Sequence, residues 1–247
     1  MYKQIDQSYI GKGKVFIQQV APTVGDMRFL SNATSMAIAI TEEEKKLKDY
    51  TAQGGGNRNV LSRIDEIKVN FDLTDISPEN IALAVSGSVD SVLAGTVTDE
   101  EVMATPGAIS PLAFIGAYDV IVTNEDASET YEQGVDYEVT GAGIEVLDGS
   151  ILKGEILKVS YSHGAQKAVE ALTDSAKEYR VIFDGLNEAQ SGSPRVVEFY
   201  RLKFAPTSGM GYIGDDFDSL ALSATLLRDA SKPSGKSGYF KDVQVAR

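Results

Sequence analysis

Apolar and polar residues alternate most clearly in two stretches of the N-terminal third. In SMAIAIT, Met36, Ile38 and Ile40 share a side, and in IDEIKVNFDLTD, Ile67, Val69, Phe71 and Leu73 oppose Lys68, Asn70 and Asp72. A period of two predicts strands with one buried and one polar face, as in antiparallel sheets. Longer strand-like runs return late in the chain, in EYRVIFDGLN, PRVVEFYRLKFAPTS, LALSATLLRD and YFKDVQVA. In the second of these, Val197, Phe199, Leu202 and Phe204 are apolar, but the parity shifts near Tyr200. A bulge or a two-faced strand produces such a shift.

Between the first two strands lies EEEKKLKDYTAQGGGNRNVLSR, for which three readings stand. Thr41 with Glu44 has the form of a capping box, and Glu42/Lys46 and Glu44/Lys48 have helical i,i+4 spacing, which predicts a short solvated helix. A long hairpin arm fits equally, since an extended Ala33–Asp49 reaches roughly 55 Å. A disordered surface loop is the third reading, and QGGGN is a flexible tip under any of them. In TDISPENIALAVSG, Ser77 is a good N-cap, Pro78 suits the first helical position, Glu79 favours the helix dipole and Gly87 stops the run. One short helix packed on a sheet is expected there.

A compositional shift follows. SVLAGTVTDEEVMATPGAISP reads as polar and turn-rich, and residues 109–164 then read as four or five short strands with Gly, Asp and Asn turns. The expected organisation is a discontinuous β domain over 1–108 and 165–247, with an inserted β module over 109–164.

The 247 residues suffice for a genuine core, and 23 glycines against seven prolines favour tight turns and short strands. The net charge of -13, with no basic block longer than a local pair, argues against tight nucleic-acid binding, which needs clustered cations. It leaves open a surface that DNA passes without adhering. The absence of cysteine excludes disulfides and thiolate metal sites, and a lone His163 excludes multi-histidine sites. No run reaches membrane-spanning length, and MYKQIDQSYIGKGKVFIQ lacks the apolar stretch of a secretory signal, so a soluble protein made in a cytoplasm is expected.

The motifs that spell chemistry lack its context. ASKPSGKS, Ala230–Ser237, has the letters of a phosphate-binding loop. Such a loop needs a parallel strand before it and a helix after it, whereas YFKDVQVA favours a strand. It reads as a Pro/Gly/Ser hairpin loop. GKGKV lacks the third glycine of a dinucleotide fingerprint, and GDDFDS lacks the glycine and far glutamate of a calcium loop, so both read as turns. His163 has no nucleophile-elbow pattern around a partner serine, and carboxylate pairs are uninformative among 36 Asp and Glu residues. Neither an enzyme nor a cofactor is indicated. Many strands with open edges and no evident site suggest assembly through edges or faces.

YIGKGKVFIQ, the run MRFLSNATSMAIAITEEEKKLKDYTAQGGGNRN into RIDEIKVNFDLTDISPENIALAVSG, the insert YEQGVDYEVTGAGIEVLDGSILKGEILKVSYS and the tail from FDGLN to SGKSGYF resemble, in order and spacing, the major tail tube proteins of tailed bacteriophages. The resemblance covers nearly the whole chain. It implies a mainly β fold, a sandwich or barrel flanked by a helix, with six copies to a ring and rings stacked into a virion tail assembled in the host cytoplasm. Strands around Ser35–Thr41 and Ile64–Asp75 would line an acidic DNA channel, with Asp65, Glu66 and Asp72 as channel-lining candidates. The connector would order on a neighbouring ring through Lys48, Asp49, Tyr50, Gly54, Gly55, Gly56 and Asn57. Implied partners are further copies of the chain, tip or initiator and terminator proteins, and a tape measure protein and DNA in the lumen without tight binding. No membrane insertion is implied. The inserted module would face outward, where a contractile sheath would have to dock, which tilts the expectation towards a long non-contractile tail. Two alternatives stand beside it: a tailocin or secretion-machine tube of the same fold, and a carbohydrate- or calcium-binding surface module.

Overall fold

The computed structural model describes residues 7–51, 53–147 and 154–245. Of the stretches read above, 1–6, 52, 148–153 and 246–247 lie outside the described residues. The chain is mainly β with one α-helix, and among the described residues no sheet closes into a barrel. It divides into two compact units, Met1–Val89 with Val169–Arg247, and Asp90–Ala168.

In chain order the first unit opens with β1 (Gly11–Ala21), β2 (Met27–Phe29), β3 (Ala33–Asp49), β4 (Gly56–Leu73) and helix α1 (Pro78–Ala84), and β5 (Ser88–Val92) leads out of it. Within the second unit run β6 (Gly95–Met103), β7 (Ile109–Pro111), β8 (Tyr118–Asn124), β9 (Thr130–Tyr131), β10 (Tyr137–Val139), β11 (Gly143–Val146) and β12 (Ile156–His163). The chain returns through β13 (Gln166–Glu170), which pairs with β5, and ends with β14 (Glu178–Asn187), β15 (Ser193–Ala205), β16 (Leu220–Leu226) and β17 (Phe240–Gln244).

The first unit is built on an antiparallel sheet ordered β2-β1-β14-β15-β16-β4-β3, with β17 also on β15. The parity shift at Tyr200 is a bulge: Val181 faces Phe199 and Tyr179 faces Leu202, so Tyr200 and Arg201 together oppose Arg180. The bulge divides β15 between two partners, β17 along Arg195–Phe199 and β16 along Leu202–Ala205. One side of the sheet carries the core, including Val15 and Ile17 of β1, Ile67 to Leu73 of β4 at alternate positions, Phe199, Leu202 and Phe204 of β15, and Leu220 and Leu222 of β16. Helix α1 lies against β15 and β16 on that side and contributes Leu83 and Ala84 to the core. Its start follows the sequence, since the Ser77 side chain accepts from the Asn80 amide and Pro78 fills the first turn.

The second unit packs a three-stranded sheet, β10-β11-β7, and a four-stranded sheet, β6-β12-β8-β9, around a separate core. Ile144 and Val146 from the first sheet meet Val122, Leu157 and Val159 from the second, which makes it a small sandwich. The stretch read as polar and turn-rich holds β6, and the unit begins at Asp90 rather than at residue 109. A bulge concealed that strand. Val97 pairs with Tyr161 and Glu100 with Val159, so two β6 residues oppose Ser160, and Asp99 there has φ 56°. The bulge puts Val97 and Val102 out of period-two phase.

Candidate functional site

The connector is an extended hairpin. Residues Ala33–Asp49 pair with Gly56–Leu73 from Ala33 opposite Leu73 to Asp49 opposite Gly56, so the helical reading is replaced by the hairpin arm. The capping-box and i,i+4 features serve strand contacts instead. Glu44 and Lys46 are ion-paired at 2.7 Å, two residues apart on one face, and Glu43 reaches Lys45 across 3.8 Å on the other. From Thr41 to Asp65 every described residue is exposed on both faces except Asp49, which is half-buried. The arm leaves the sheet by about 30 Å at ~3.4 Å per strand residue.

The arm exposes apolar surface. Leu47, Val60, Leu61 and Ile64 are exposed along it, and Tyr50 near its tip is 88% exposed. On the face continuing the core side stand Glu42, Glu44 and Lys46 with Ile64, Ser62 and Val60, and on the other Glu43, Lys45 and Leu47 with Arg63, Leu61 and Asn59. β3 stands at one end of the sheet order, and among the described residues no strand pairs with its outer edge. Such an edge accepts another chain unless charge blocks it, and here Glu42, Glu43 and Glu44 followed by Lys45, Lys46 and Lys48 lie along it.

The tip gathers the predicted stacking residues. Lys48 opposes Asn57 and Asp49 opposes Gly56. The Asp49 carboxylate accepts from the Thr51 amide at 2.9 Å and its hydroxyl at 2.6 Å, and these bonds hold it below the usual carboxylate range. Gly54 and Gly55 have φ of 105° and 56°, so the turn needs residues tolerant of the left-handed region.

At the arm's root the strands expose a polar face opposite the core. In register across it run Ser35 with Asp72 and Ala221, Ala37 with Asn70 and Ser223, and Ala39 with Lys68 and Thr225. Two of the three channel candidates belong to this face. Asp72 accepts from the Ser35 hydroxyl. Glu66 is held below the usual carboxylate range by its 2.8 Å pairing with Lys68 and by the Thr225 hydroxyl at 2.9 Å. Asp65 stands apart in the pairing: Thr41 faces Glu66 and Glu42 faces Ile64, so Asp65 is the extra residue of a bulge where the arm begins. Sequence reasoning missed the small residues Ala37, Ala39, Ala221 and Ser223. Their alternation between core residues in SMAIAIT and LALSATL was the available signal.

An open groove of about 530 Å³ sits over the β15 bulge. Its walls hold Arg180 paired with Glu198, Arg201 with Glu178 at 2.6 Å, and Lys232 with Asp229 at 3.7 Å. Lys232, from the stretch that spells a phosphate loop, lies 3.7 Å over the Tyr200 ring, and β17 follows where a phosphate loop needs a helix. These charges satisfy one another, which suits joining strands better than holding an anion. His163 is buried in the second unit, stacked at 4.0 Å on Phe114. Among the described residues no group of three or more Asp, Glu or His side chains is placed to hold a metal ion.

A family model described as protein of unknown function UCP028589 matches residues 8–243, and the chain belongs to that family. No curated protein matches the chain.

Proposed function

We propose that this chain is a structural protein of a phage tail, a tube subunit whose hexameric rings stack into the conduit through which DNA leaves the virion. The observation that carries the reading is the hairpin arm, which has both faces in solvent, apolar residues on each, and a long pairing-competent edge. A lone domain gains nothing by holding some thirty ångströms of hairpin in water. A second copy gives those residues a place to be buried, and the ion pairs along β3 keep the edge soluble until then.

The polar face at the arm's root supports the same reading. Small side chains make a smooth wall, with Lys68 ion-paired to Glu66 and hydroxyls donating to Glu66 and Asp72. DNA meeting such a wall finds no cation cluster and so no counterion release to slow it. In this reading Asp72 and Glu66 face the lumen, while Asp65, Lys48 to Tyr50 and Gly54 to Asn57 serve the junction between rings.

The test is negative-stain electron microscopy of purified protein, concentrated and aged, with and without an initiator complex. Hollow rings or tubes are expected. Discrete small particles under both conditions would sink the proposal. Removal of 53–57 should leave rings and abolish tubes; tubes of normal length would reject the stacking role. Charge reversal at Glu66 and Asp72 should slow DNA delivery, and unchanged infectivity would remove them from the wall.

A further inference from the structure

We infer that the loop joining β15 to β16 is a plug that seats on the back of the sheet of a second copy of this chain. The contact rests on the ring reading above and supplies the joint between neighbours within a ring.

Residues 206–219 hold Ile213 and Phe217 with exposures of 101% and 105%, and Tyr212 at 84%. Three apolar side chains wholly in water on one loop are unusual for a surface with no partner. Asp215, Asp216 and Asp218 stand among them, so the loop is both apolar and acidic. It is also tethered. The Thr207 amide donates to the Ala84 carbonyl at the end of α1, Met210 packs against the core, and Leu220 at the loop's far end is fully buried. These anchors hold the loop on the helix side of the sheet.

The matching surface lies on the opposite side. There β1, β2, β14, β15 and β17 present in register Phe29, Phe16 and Ile182, and beside them Val196 with Val243. Phe29 and Val243 are exposed and Phe16, Ile182 and Val196 half-buried. The Phe16 and Phe29 rings lie 5.8 Å apart. Lysines border the patch, Lys14 in the row of Val196 and Lys241 in the row of Ile182. Its acids are Asp184 and Glu198, and Arg180 holds Glu198. In a chain of net charge -13 this apolar face carries three cations, Lys14, Arg180 and Lys241, against two carboxylates, where the apolar loop carries three aspartates and no cation. The sheet separates the loop from its own patch, so the two meet only between copies. A contact joining different surfaces of identical subunits is head-to-tail and closes into a ring when its rotation allows.

The chain has no cysteine, which makes the test direct. Full-length protein carrying Phe217→Cys and Val196→Cys, treated with a short bismaleimide, should give a ladder of covalent multimers, and each single variant no more than dimers. Phe217→Asp should lower ring yield at least tenfold, the scale of a central interface residue, with an unchanged urea midpoint. Rings by microscopy with no ladder, and full ring yield from Phe217→Asp, would overturn the plug and leave the tube reading standing. A monomer at every concentration, with both cysteines alkylated at the free rate, would assign the loop to a different protein and overturn both.

Discussion

Asn80 is a buried polar hub whose amide has three partners. Its Nδ2 donates to the carbonyls of Leu30 at 3.0 Å and Asp75 at 3.1 Å, and its Oδ1 accepts from Arg28 Nη1 at 3.0 Å. Asn80→Ala strips a partner from each, at about 1 to 3 kcal/mol per buried group left unsatisfied. With relaxation and Ala's helix preference offsetting part of this, a loss of about 3 kcal/mol is expected by urea unfolding. Ser77→Ala, which removes only the cap, should cost about 1 kcal/mol. Two phenols make stability sensitive to alkali. Burial first, then the 2.6 Å hydrogen bond to Glu100, pushes Tyr161 up to about 12, and burial likewise pushes Tyr179 up to about 12. Well below pH 10 both are protonated folded or unfolded and contribute no pH dependence. Between pH 10 and 12 the unfolded chain releases protons that the folded one keeps, so stability falls as pH rises. Comparing urea midpoints at pH 9 and pH 11, the decline should be shallower in Tyr161→Phe than in the native protein.

At the scale of the element, the arm separates stability from assembly. Replacing residues 43–63 with a two-residue Asn-Gly turn removes side chains that already face water, so the unfolding free energy from urea titration should change by less than about 0.5 kcal/mol. Tube formation should be lost. A large drop in stability would mean that the arm packs somewhere on its own subunit. Strands and helix were legible where side chains alternate without interruption: β3, β4 and β16 show the period plainly, and Ser77-Pro78 marks the start of α1. The arm was ambiguous because a solvated hairpin and a solvated helix are written in the same alphabet of Glu and Lys. Its resolution came from pairing with β4, a contact between distant residues that local spacing does not encode. Bulges hid the rest. The one at Asp99 erased the β6 pattern, whereas the one at Tyr200 interrupted an otherwise strong strand and so left its trace. Of the channel candidates, Asp72 was readable from period alone. Glu66 and Asp65 were not separable, because only the pairing shows which of two adjacent carboxylates is the extra residue.

For the whole molecule, two buried clusters imply two cooperative melts. Calorimetry should resolve two transitions. Phe71→Ala should lower one and Leu157→Ala the other, by about 2 to 5 kcal/mol each. A single transition shifted equally by both would contradict this independence. The bulge at Asp65 has a mechanical consequence. It sits where the hairpin arm leaves the sheet, and a bulge sets how far a strand bends and twists. A change of about 20° there, the size of the ordinary twist between neighbouring strands, swings a tip about 30 Å away through roughly 10 Å. One residue left out of the strand pairing thus aims the arm, and its deletion would yield a stable subunit whose tip points past the place it has to reach.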